Sequence, residues 1–523
     1  MSQNRISHGL SRQFNCAMQF IQPSQAASIL ASFRGSALDF VVRLLINIAK
    51  RMQCDRIRIN LYEIRRKGVC LMAGEKKDYK DLTPEERLER AQKPGKDAMV
   101  MHPYYGGKIE VVPKACVRDF NDFAIWYSPG VAEPCKDIAK NPDKVYEHTW
   151  KWNTVAVVSD GTRVLGLGDI GPEAAMPVME GKGMLFKYLG GVDCVPICLD
   201  TKDPEKIIET VRLIAPSFGG INLEDISNPK CFDILDELRR DCKIPVWHDD
   251  QQGTATVEVA GAINAMKLVG KKLEDANITV IGAGAASIAI ARLMLATGFK
   301  PENMCMCDSK GILNLERKDV EGSFKQKWEI CKKTNGAGKT GGMKEAFKGA
   351  DIVIAASKPG PGTIPPEYVD LMADDPIIFA TANPIPEIWP WEAKEHGCKV
   401  FATGRSDFPN QVNNSMGFPA IFRGVLDVRA KTITDEMCIA AARSLAKTAE
   451  EKGINENYIV PTMSETNAFI EEAVAVGMKA QEQGVARLKL SAQELREKAE
   501  FMINRSRSLT AKMMEDGFIR KYE

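Results

Sequence analysis

Histidine is scarce in this chain. Five occur among 523 residues, namely His8, His102, His148, His248 and His396. The count excludes little by itself, but it limits where histidine chemistry could lie. Only His248 stands in a candidate site, beside two aspartates. His396 precedes Gly397 at the end of a helix-like segment, so we expect it to cap the last turn of that helix.

Excess charge, paired cysteines and long apolar runs are missing as well. The formal net charge is +1 with no basic patch, which gives no support for nucleic-acid binding. The 14 cysteines are scattered, without the paired CxxC pattern of zinc sites, and are typical of a reduced, cytosolic-type core. The apolar run 37–49 contains Asp39 and Arg43 and is too short to span a bilayer, so no membrane partner is expected.

The first 71 residues differ in composition from the rest of the chain. They are rich in Ser and Arg and poor in acids, with Asp39 and Asp55 almost alone before Glu63. This composition resembles a transit peptide. It fits an incorrectly assigned start equally well, because Met72 opens a segment typical of a soluble N-terminus. We therefore expect a cytoplasmic protein, or a mitochondrial one if residues 1–71 are a transit peptide.

Alternating strand and helix patterns predict an α/β protein with parallel sheets. The length allows two or three domains. We divide the chain into an N-terminal extension (1–71), an α/β substrate and metal domain (72–272), a Rossmann-type dinucleotide-binding domain (273–433) and a helical C-terminal segment (434–523). Two strands should end before Glu224 and Asp249. The other predicted strands span 154–159, 192–199, 278–281, 304–307, 351–355, 377–380 and 399–402.

Four carboxylates follow two of these predicted strands. Glu224 and Asp225 come after one apolar run, and Asp249 and Asp250 come after the next. Open α/β sheets form their sites at the carboxyl ends of strands, so the four acids should converge there. They would repel each other unless a cation neutralised them. An all-oxygen cluster suits Mg²⁺ or Mn²⁺ and argues against zinc.

A glycine turn of the nucleotide-binding type follows the predicted strand 278–281. Gly282 permits a tight turn, Gly284 lets the backbone approach a pyrophosphate, and the small Ser287 takes the third glycine position. Asp308 ends the next strand, where it could bind a ribose hydroxyl. A plain βα turn is the alternative, which the strand–helix context disfavours. A divalent cation beside a dinucleotide suggests a metal-assisted dehydrogenase.

Several single residues fit a substrate pocket between these two features. Tyr127 stands before a proline turn, and Lys182 is predicted near a helix start, after a glycine-rich loop. Arg163, Asn383 and Asn414 are polar residues in turns or near strand ends. Each has an ordinary explanation too. A lone tyrosine usually packs, a lone lysine is usually solvated, and asparagine beside proline is a common turn former.

Seven motifs together resemble the malic enzyme family in its compact, bacterial-type form. The resemblance runs from about Lys108 to Ile433 and weakens beyond Ile433. In chain order the motifs are Tyr127-Ser-Pro-Gly-Val-Ala-Glu-Pro-Cys, Leu165-Gly-Leu-Gly-Asp-Ile-Gly, Met179-Glu-Gly-Lys182, Asn222-Leu-Glu-Asp, His248-Asp-Asp-Gln-Gln-Gly-Thr-Ala, Gly282-Ala-Gly and Gly404-Arg-Ser-Asp-Phe-Pro-Asn-Gln-Val-Asn-Asn. The resemblance implies oxidative decarboxylation of (S)-malate to pyruvate and CO₂ with NAD(P)⁺ and Mg²⁺ or Mn²⁺.

The resemblance also implies roles, position by position. The metal ligands would be Glu224, Asp225 and Asp250. The general base would be Lys182, the general acid Tyr127, and the acid that supports the lysine Asp249. The residues that hold malate would be Arg163, Asn383 and Asn414. A lysine pKa near 10.4 must fall by about three units for this chemistry, which a nearby cation and burial favour. Asp249 opposes that fall, so we expect it to orient the lysine and relay protons.

The sequence also indicates which residues would bind the cofactor. Its binding residues are expected to be Gly282, Ala283, Gly284, Ala285, Ala286, Ser287, Asp308, Ser309, Lys310 and Asn383. Asp308 suits the free 2′-hydroxyl of NAD⁺ and would repel a 2′-phosphate. Ser309 and Lys310, with Arg317, Lys318, Lys325 and Lys327 shortly after, suit the phosphate of NADP⁺. NADP-linked family members keep a similar acid-Ser-Lys-Gly sequence, so we favour NADP⁺ and keep NAD⁺ open.

Three other functions remain as alternatives. The chain could be an NAD-linked malic enzyme, an oxaloacetate decarboxylase without net redox chemistry, or a non-catalytic homologue that senses a metabolite. The intact tyrosine, lysine and three acids argue against the last, because such homologues usually lose one of them. Members of the family tend to form dimers and tetramers, so we expect a homodimer or a homotetramer.

Overall fold

The computed structural model describes residues 82–522. The chain divides into two compact units, Met1–Gln92 and Lys93–Glu523. The predictions made for residues 1–71 lie outside the described residues. The first described helix, α1, spans Pro84–Tyr105 and begins with the acidic residues Glu85 and Glu86, whose charge favours a helix N-terminus.

A first sheet of four parallel strands forms the core of the N-terminal half of the larger unit. Its strands are β1 (Thr154–Ser159), β2 (Asp193–Cys198), β3 (Gly220–Leu223) and β4 (Val246–His248). They lie in the order β2-β1-β3-β4. Every residue of β1 is buried, as expected for a central strand covered on both faces. The chain order changes direction beside β1, so the carboxyl ends of β1 and β3 open a crevice.

Helices connect these strands in the manner of βαβ units. The helix α5 (Pro172–Gly190) joins β1 to β2, α6 (Pro204–Ile214) leads to β3, and α7 (Lys230–Asp241) leads to β4. The start of α6 has Asp203 as its N-cap, whose carboxylate accepts a hydrogen bond from the Glu205 amide at 3.0 Å. A longer helix, α8 (Thr254–Leu268), follows β4 and leads towards the second sheet.

The segment before β1 is unlike the rest of the larger unit. It contains three short helices, α2 (Phe123–Trp126), α3 (Ala132–Lys140) and α4 (Val145–His148). Helices α2 and α3 bury none of their residues. The segment therefore presents apolar side chains to solvent, a feature that bears on assembly.

A second sheet of six strands has the dinucleotide-binding arrangement. The strand order is β10-β9-β8-β5-β6-β7, and only the short β7 is antiparallel. The chain order changes direction between β5 and β8, where such sheets bind ligands. The strands are β5 (Ile278–Ile281), β6 (Met304–Asp308), β7 (Gly311–Ile312), β8 (Ile352–Ala355), β9 (Ile377–Ala380) and β10 (Val400–Thr403).

Helices complete the larger unit. Those around the second sheet are α9 (Ala285–Thr297), α10 (Lys318–Glu321), α11 (Lys325–Lys333), α12 (Met343–Phe347) and α13 (Pro390–Glu395). The C-terminal helices are α14 (Phe418–Asp427), α15 (Asp435–Lys452), α16 (Thr466–Glu482) and α17 (Ala492–Glu515). All ten residues of α14 are buried. Its Arg423 binds Asp427 through two hydrogen bonds and Asn153 through a third, which pairs the buried charge.

The predicted fold class is confirmed: the chain is an α/β protein with parallel sheets, a Rossmann-like domain and C-terminal helices. One element differs from its prediction. The helix that carries Lys182 begins at Pro172 and includes Pro177, so the lysine lies in mid-helix and not near its start. Pro172 takes the first helical position, where a missing N–H costs nothing. No helix within residues 82–522 has the length and apolar character needed to cross a membrane.

Candidate functional site

Three carboxylates converge where the strands of the first sheet end. One oxygen from each of Glu224, Asp225 and Asp250 lies within 4.8 Å of the others. Glu224 and Asp225 directly follow β3, and Asp250 follows β4 by two residues. Asp225 Oδ2 is buried and lacks a hydrogen-bond partner among the described residues. The side-chain oxygen of Asn222, Oδ1, is also buried and lacks one. Hard, anionic oxygens with unused lone pairs fit a magnesium or manganese ion.

The backbone around the acids fixes their directions. Asp225 has a φ of +55°, a conformation that few residues other than glycine adopt, and its amide donates to Asp250 Oδ2 at 2.9 Å. The Asn222 side chain donates to Glu224 Oε2 at 2.9 Å. The Arg163 amide donates to the Asp225 carbonyl, also at 2.9 Å, so the loop after β1 is tied to the acids. Asp250 itself lies in a π-helical turn, a form that often occurs at functional sites.

Lys182 projects from the middle of α5 into this cluster. Its Nζ donates to Asp249 through a very short hydrogen bond and lies 3.1 Å from Glu224 Oε1. The same Nζ lies 4.6 Å from the centre of the Phe418 ring. Trp247 Nε1 donates to the other oxygen of Asp249 at 3.1 Å. Asp249 therefore bridges a buried indole and the lysine, which holds the ammonium group in one position.

Burial governs the titration of these groups. It raises the pKa of Glu224 and of Asp225 well above the usual range, the neighbouring acids add to the rise, and Lys182 opposes it. Burial alone would lower the pKa of Lys182, but the facing Asp249 and Glu224 outweigh it and raise that pKa. The site has more carboxylates than cations, so it has room for further positive charge.

One cavity of about 1810 Å³ unites the acids with the second sheet. It extends from the acid cluster to the glycine turn after β5 and to the polar residues after β9. The predicted site residues that line it are Arg163, Lys182, Glu224, Asp225, Asp250, Gly284, Ala285, Ala286, Asn383 and Asn414. Asp249 does not line the cavity, but it accepts a hydrogen bond from Lys182, which does.

Three groups of predicted site residues are absent from the lining of this cavity. The first is Gly282, Ala283 and Ser287, although their neighbours Gly284, Ala285 and Ala286 line it. Tyr127 is 74% exposed and is not among the residues of the described chain that line it. Asp308, Ser309 and Lys310 are also absent from that lining, although they follow β6, the neighbour of β5. The structure therefore brings together the lysine, the acids and the malate-binding candidates, but it leaves the tyrosine outside.

Basic side chains surround Asp308. Arg317 donates to both of its oxygens, at 2.9 and 3.0 Å, and Lys327 donates at 3.3 Å. Burial would raise the pKa of Asp308, but these partners hold it below its ordinary value. The carboxylate is ionised and its charge is neutralised by two cations.

Sequence reasoning missed two residues that shape the cavity. Ser357, after β8, lines it, and the buried Glu387 binds the Ser357 amide and hydroxyl. The available signal was a single acid in the apolar, proline-rich stretch Ile385–Pro390, because an acid is rarely placed in such a stretch without a partner.

Comparisons with known proteins agree with this architecture. Family models described as "Malic enzyme, N-terminal domain" and "Malic enzyme, NAD binding domain" match residues 106–239 and 251–481. An NAD-dependent malic enzyme of Geobacillus stearothermophilus is 50% identical over 73% of this chain and 79% of its own length. An NADP-dependent malic enzyme of Halomonas elongata is 44% identical over 73% of this chain and 92% of its own length.

A solved structure supports the same conclusion. The crystal structure of Entamoeba histolytica malic enzyme matches with a TM-score of 0.83 at 46% identity, covering 84% of this chain and 93% of that one. With two parallel sheets, a Rossmann-like domain and an acid cluster on one cavity, this is an NAD(P)-binding α/β protein. The chain belongs to the malic enzyme family.

We predict that Asp250→Asn weakens Mn²⁺ binding at least about tenfold, since even outer-shell changes typically cost 10–100-fold in metal affinity. Folding should survive, because one of the repelling buried charges is removed. Isothermal titration with Mn²⁺ measures the effect. Asp169→Asn is the matched control, because Asp169 is an exposed acid paired with Lys202. An unchanged affinity in Asp250→Asn would move the metal site elsewhere.

Proposed function

We propose that the protein converts (S)-malate to pyruvate and CO₂ with reduction of NADP⁺, assisted by Mg²⁺ or Mn²⁺. The observation that carries the proposal is the position of Lys182. Its ammonium group lies between Asp249 and Glu224 on the cavity that also contains the glycine turn. A base, an acid cluster and a dinucleotide site therefore share one space.

The residues divide the reaction among them. Lys182 first passes its own proton to Asp249, and its neutral amine then takes the proton of the malate C2 hydroxyl. Arg163 binds a malate carboxylate, while Asn383 and Asn414 donate hydrogen bonds that orient the substrate. When bound, the divalent ion and the nicotinamide supply charge stabilisation and the acceptor for the C2 hydride.

The bonds balance in three steps. Malate loses the hydroxyl proton and the C2 hydride, which gives oxaloacetate. The bond between C3 and its carboxylate then breaks, which releases CO₂ and leaves the enolate of pyruvate. The enolate gains a proton at C3 to become pyruvate, and we assign that proton to the Tyr127 hydroxyl.

We predict that Lys182→Ala lowers kcat/KM for malate by about 10²–10⁴-fold, the usual contribution of a general base. Binding of NADP⁺ should persist, which quenching of tryptophan fluorescence can measure. Lys267→Ala is the control, because Lys267 is an exposed lysine of α8 that pairs with Glu450 of α15. Activity within tenfold of the wild type would remove Lys182 as the base.

The assay also separates the rival functions. An oxaloacetate decarboxylase would release CO₂ from oxaloacetate but would not reduce a dinucleotide with malate. A metabolite-sensing homologue would bind malate without turnover. Absorbance at 340 nm with malate, Mn²⁺ and each dinucleotide identifies a malic enzyme, and CO₂ release from oxaloacetate separates the decarboxylase from the sensing homologue.

The surroundings of Asp308 support NADP⁺ over NAD⁺. An unpaired acid there would repel a 2′-phosphate, but Arg317 and Lys327 already neutralise it. Lys310 is largely exposed next to this group and pairs with the partly exposed Asp319, so it can turn towards a phosphate. The relatives include both NAD- and NADP-dependent enzymes.

We predict that the wild type prefers NADP⁺ in kcat/KM, and that Lys310→Ala raises the KM for NADP⁺ about tenfold, as expected for a lost charge-assisted hydrogen bond. The KM for NAD⁺ should hardly change, because NAD⁺ lacks the phosphate. Lys333→Ala, a surface lysine on α11, is the control. A preference of the wild type for NAD⁺ would overturn the assignment.

The exposed position of Tyr127 supports assembly as a homodimer. Its segment has several exposed apolar side chains, with Phe120 at 90%, Ile125 at 57% and Trp126 at 50% exposure. The same cavity that contains Lys182 continues as an apolar groove between α1, α5 and α17. Partly exposed residues of this groove are Met101, Met184, Tyr188, Leu509 and Met514.

We propose that this groove receives the Tyr127 segment of a second copy. The exposed apolar segment contains Tyr127, the proposed general acid that the cavity lacks. The apolar groove leads to Lys182. The two surfaces of one chain are therefore complementary. The exchange is reciprocal in a two-fold symmetric dimer, so each site has Lys182 from one copy and Tyr127 from the other.

We predict that two inactive variants, Tyr127→Phe and Lys182→Ala, regain activity when coexpressed. Half of randomly formed dimers are mixed, and each has one intact site of two, so about 25% of wild-type activity should return. Each variant alone should stay below about 1%. If Tyr127 served the site of its own chain, no mixed dimer would have an intact site, and activity would not return.

A further inference from the structure

The loop after β8 is packed directly on the glycine turn. A Cβ atom added to Gly282 would lie 2.6 Å from the carbonyl oxygen of Ala356, and Ser287 Oγ donates to the same oxygen at 3.3 Å. The loop after β9 lies beside it. Ser357 in the first loop and Ala382 in the second both line the cavity. These two loops form part of the cavity wall on the side of the second sheet.

One buried carboxylate joins the two loops. Glu387 Oε1 accepts hydrogen bonds from the Ser357 amide at 2.7 Å and from its hydroxyl at 3.0 Å. Glu387 Oε2 accepts from the Ala382 amide at 3.1 Å. Glu387 is completely buried, so water cannot replace these bonds.

We propose that Glu387 is a positioning residue for the dinucleotide: its carboxylate holds the loops after β8 and β9 together, so that the binding wall is formed before the dinucleotide arrives. The proposal rests on the NAD(P)-dependent function proposed above and extends it to a residue outside the expected site. Both oxygens must be acceptors, because each faces a backbone N–H. A glutamine would turn its NH₂ group towards one of those amides.

The same loops also meet the substrate side of the cavity. A Cβ atom on Gly166 would lie 2.6 Å from the Asn383 carbonyl oxygen and 2.6 Å from Pro359 Cγ. Gly166 belongs to the loop that includes Arg163. Loosening of the loops should therefore raise the KM for malate in addition to the dinucleotide Kd, while the acid cluster behind them stays intact.

The test is dinucleotide binding by Glu387→Gln without malate or metal. We expect the Kd for NADPH, measured from its fluorescence, to rise about tenfold, or about 1.4 kcal/mol. The Mn²⁺ Kd from calorimetry should stay within twofold. The matched control is Glu472→Gln, because Glu472 is also fully buried but has no hydrogen-bond partner among the described residues, and α16 is absent from the described cavity lining.

The outcomes separate this inference from the proposed function. If the wild type binds neither NADPH nor NADH, the proposed function fails. If the wild type binds and folded Glu387→Gln binds within twofold as tightly, only the positioning role fails. Glu387→Asp supplies the same measurement should the glutamine variant not fold. It retains two acceptor oxygens on a shorter side chain, so its Kd should lie between those of the wild type and Glu387→Gln.

Discussion

Uncompensated negative charge at the carboxyl edge of the first sheet is the constraint on which the rest of the structure depends. Glu224, Asp225, Asp249 and Asp250 face a single ammonium group, that of Lys182. Buried acids at such separations destabilise the fold unless hydrogen bonds and a cation offset their repulsion. The hydrogen bonds from Asn222, Trp247 and the Asp225 amide supply part of that offset. The electrostatic cost is concentrated where a divalent ion can relieve it.

Much of this architecture could be predicted because parallel strands leave a simple pattern in the sequence. Apolar runs such as Thr154–Ser159 and Ile278–Ile281 are strands with the predicted bounds. Acids directly after such runs had to meet at one edge of a sheet, which is a rule of topology and needs no side-chain detail. The predicted start of α5 was wrong because Pro172 and Pro177 each suit the first turn of a helix, and the helix begins at Pro172.

Other features depend on pairings that no local pattern encodes. Glu387 is separated by 30 residues from Ser357, and their contact exists only because β8 and β9 are neighbours in the sheet. The neutralisation of Asp308 by Lys327 likewise requires α11 to fold back beside β6. Tyr127 lies in a recognisable motif. The motif does not indicate whether its side chain acts in the site of its own chain or in the site of a second copy. A residue whose role depends on contacts with distant segments, or with another chain, cannot be assigned that role from its own segment of sequence.

Gly166 affects how closely the loop after β1 can approach the loops after β8 and β9. Its missing Cβ lets the loop of the first sheet touch two loops of the second, at Asn383 and Pro359. Because glycine has no side chain, the loops on the two sides of the cavity can come into contact at this position. Any side chain there would hold these loops apart by about an ångström or more, and a misplacement of that size can slow a reaction about 100-fold. One absent methyl group thus sets the closest approach between the loop that includes Arg163 and the loops after β8 and β9.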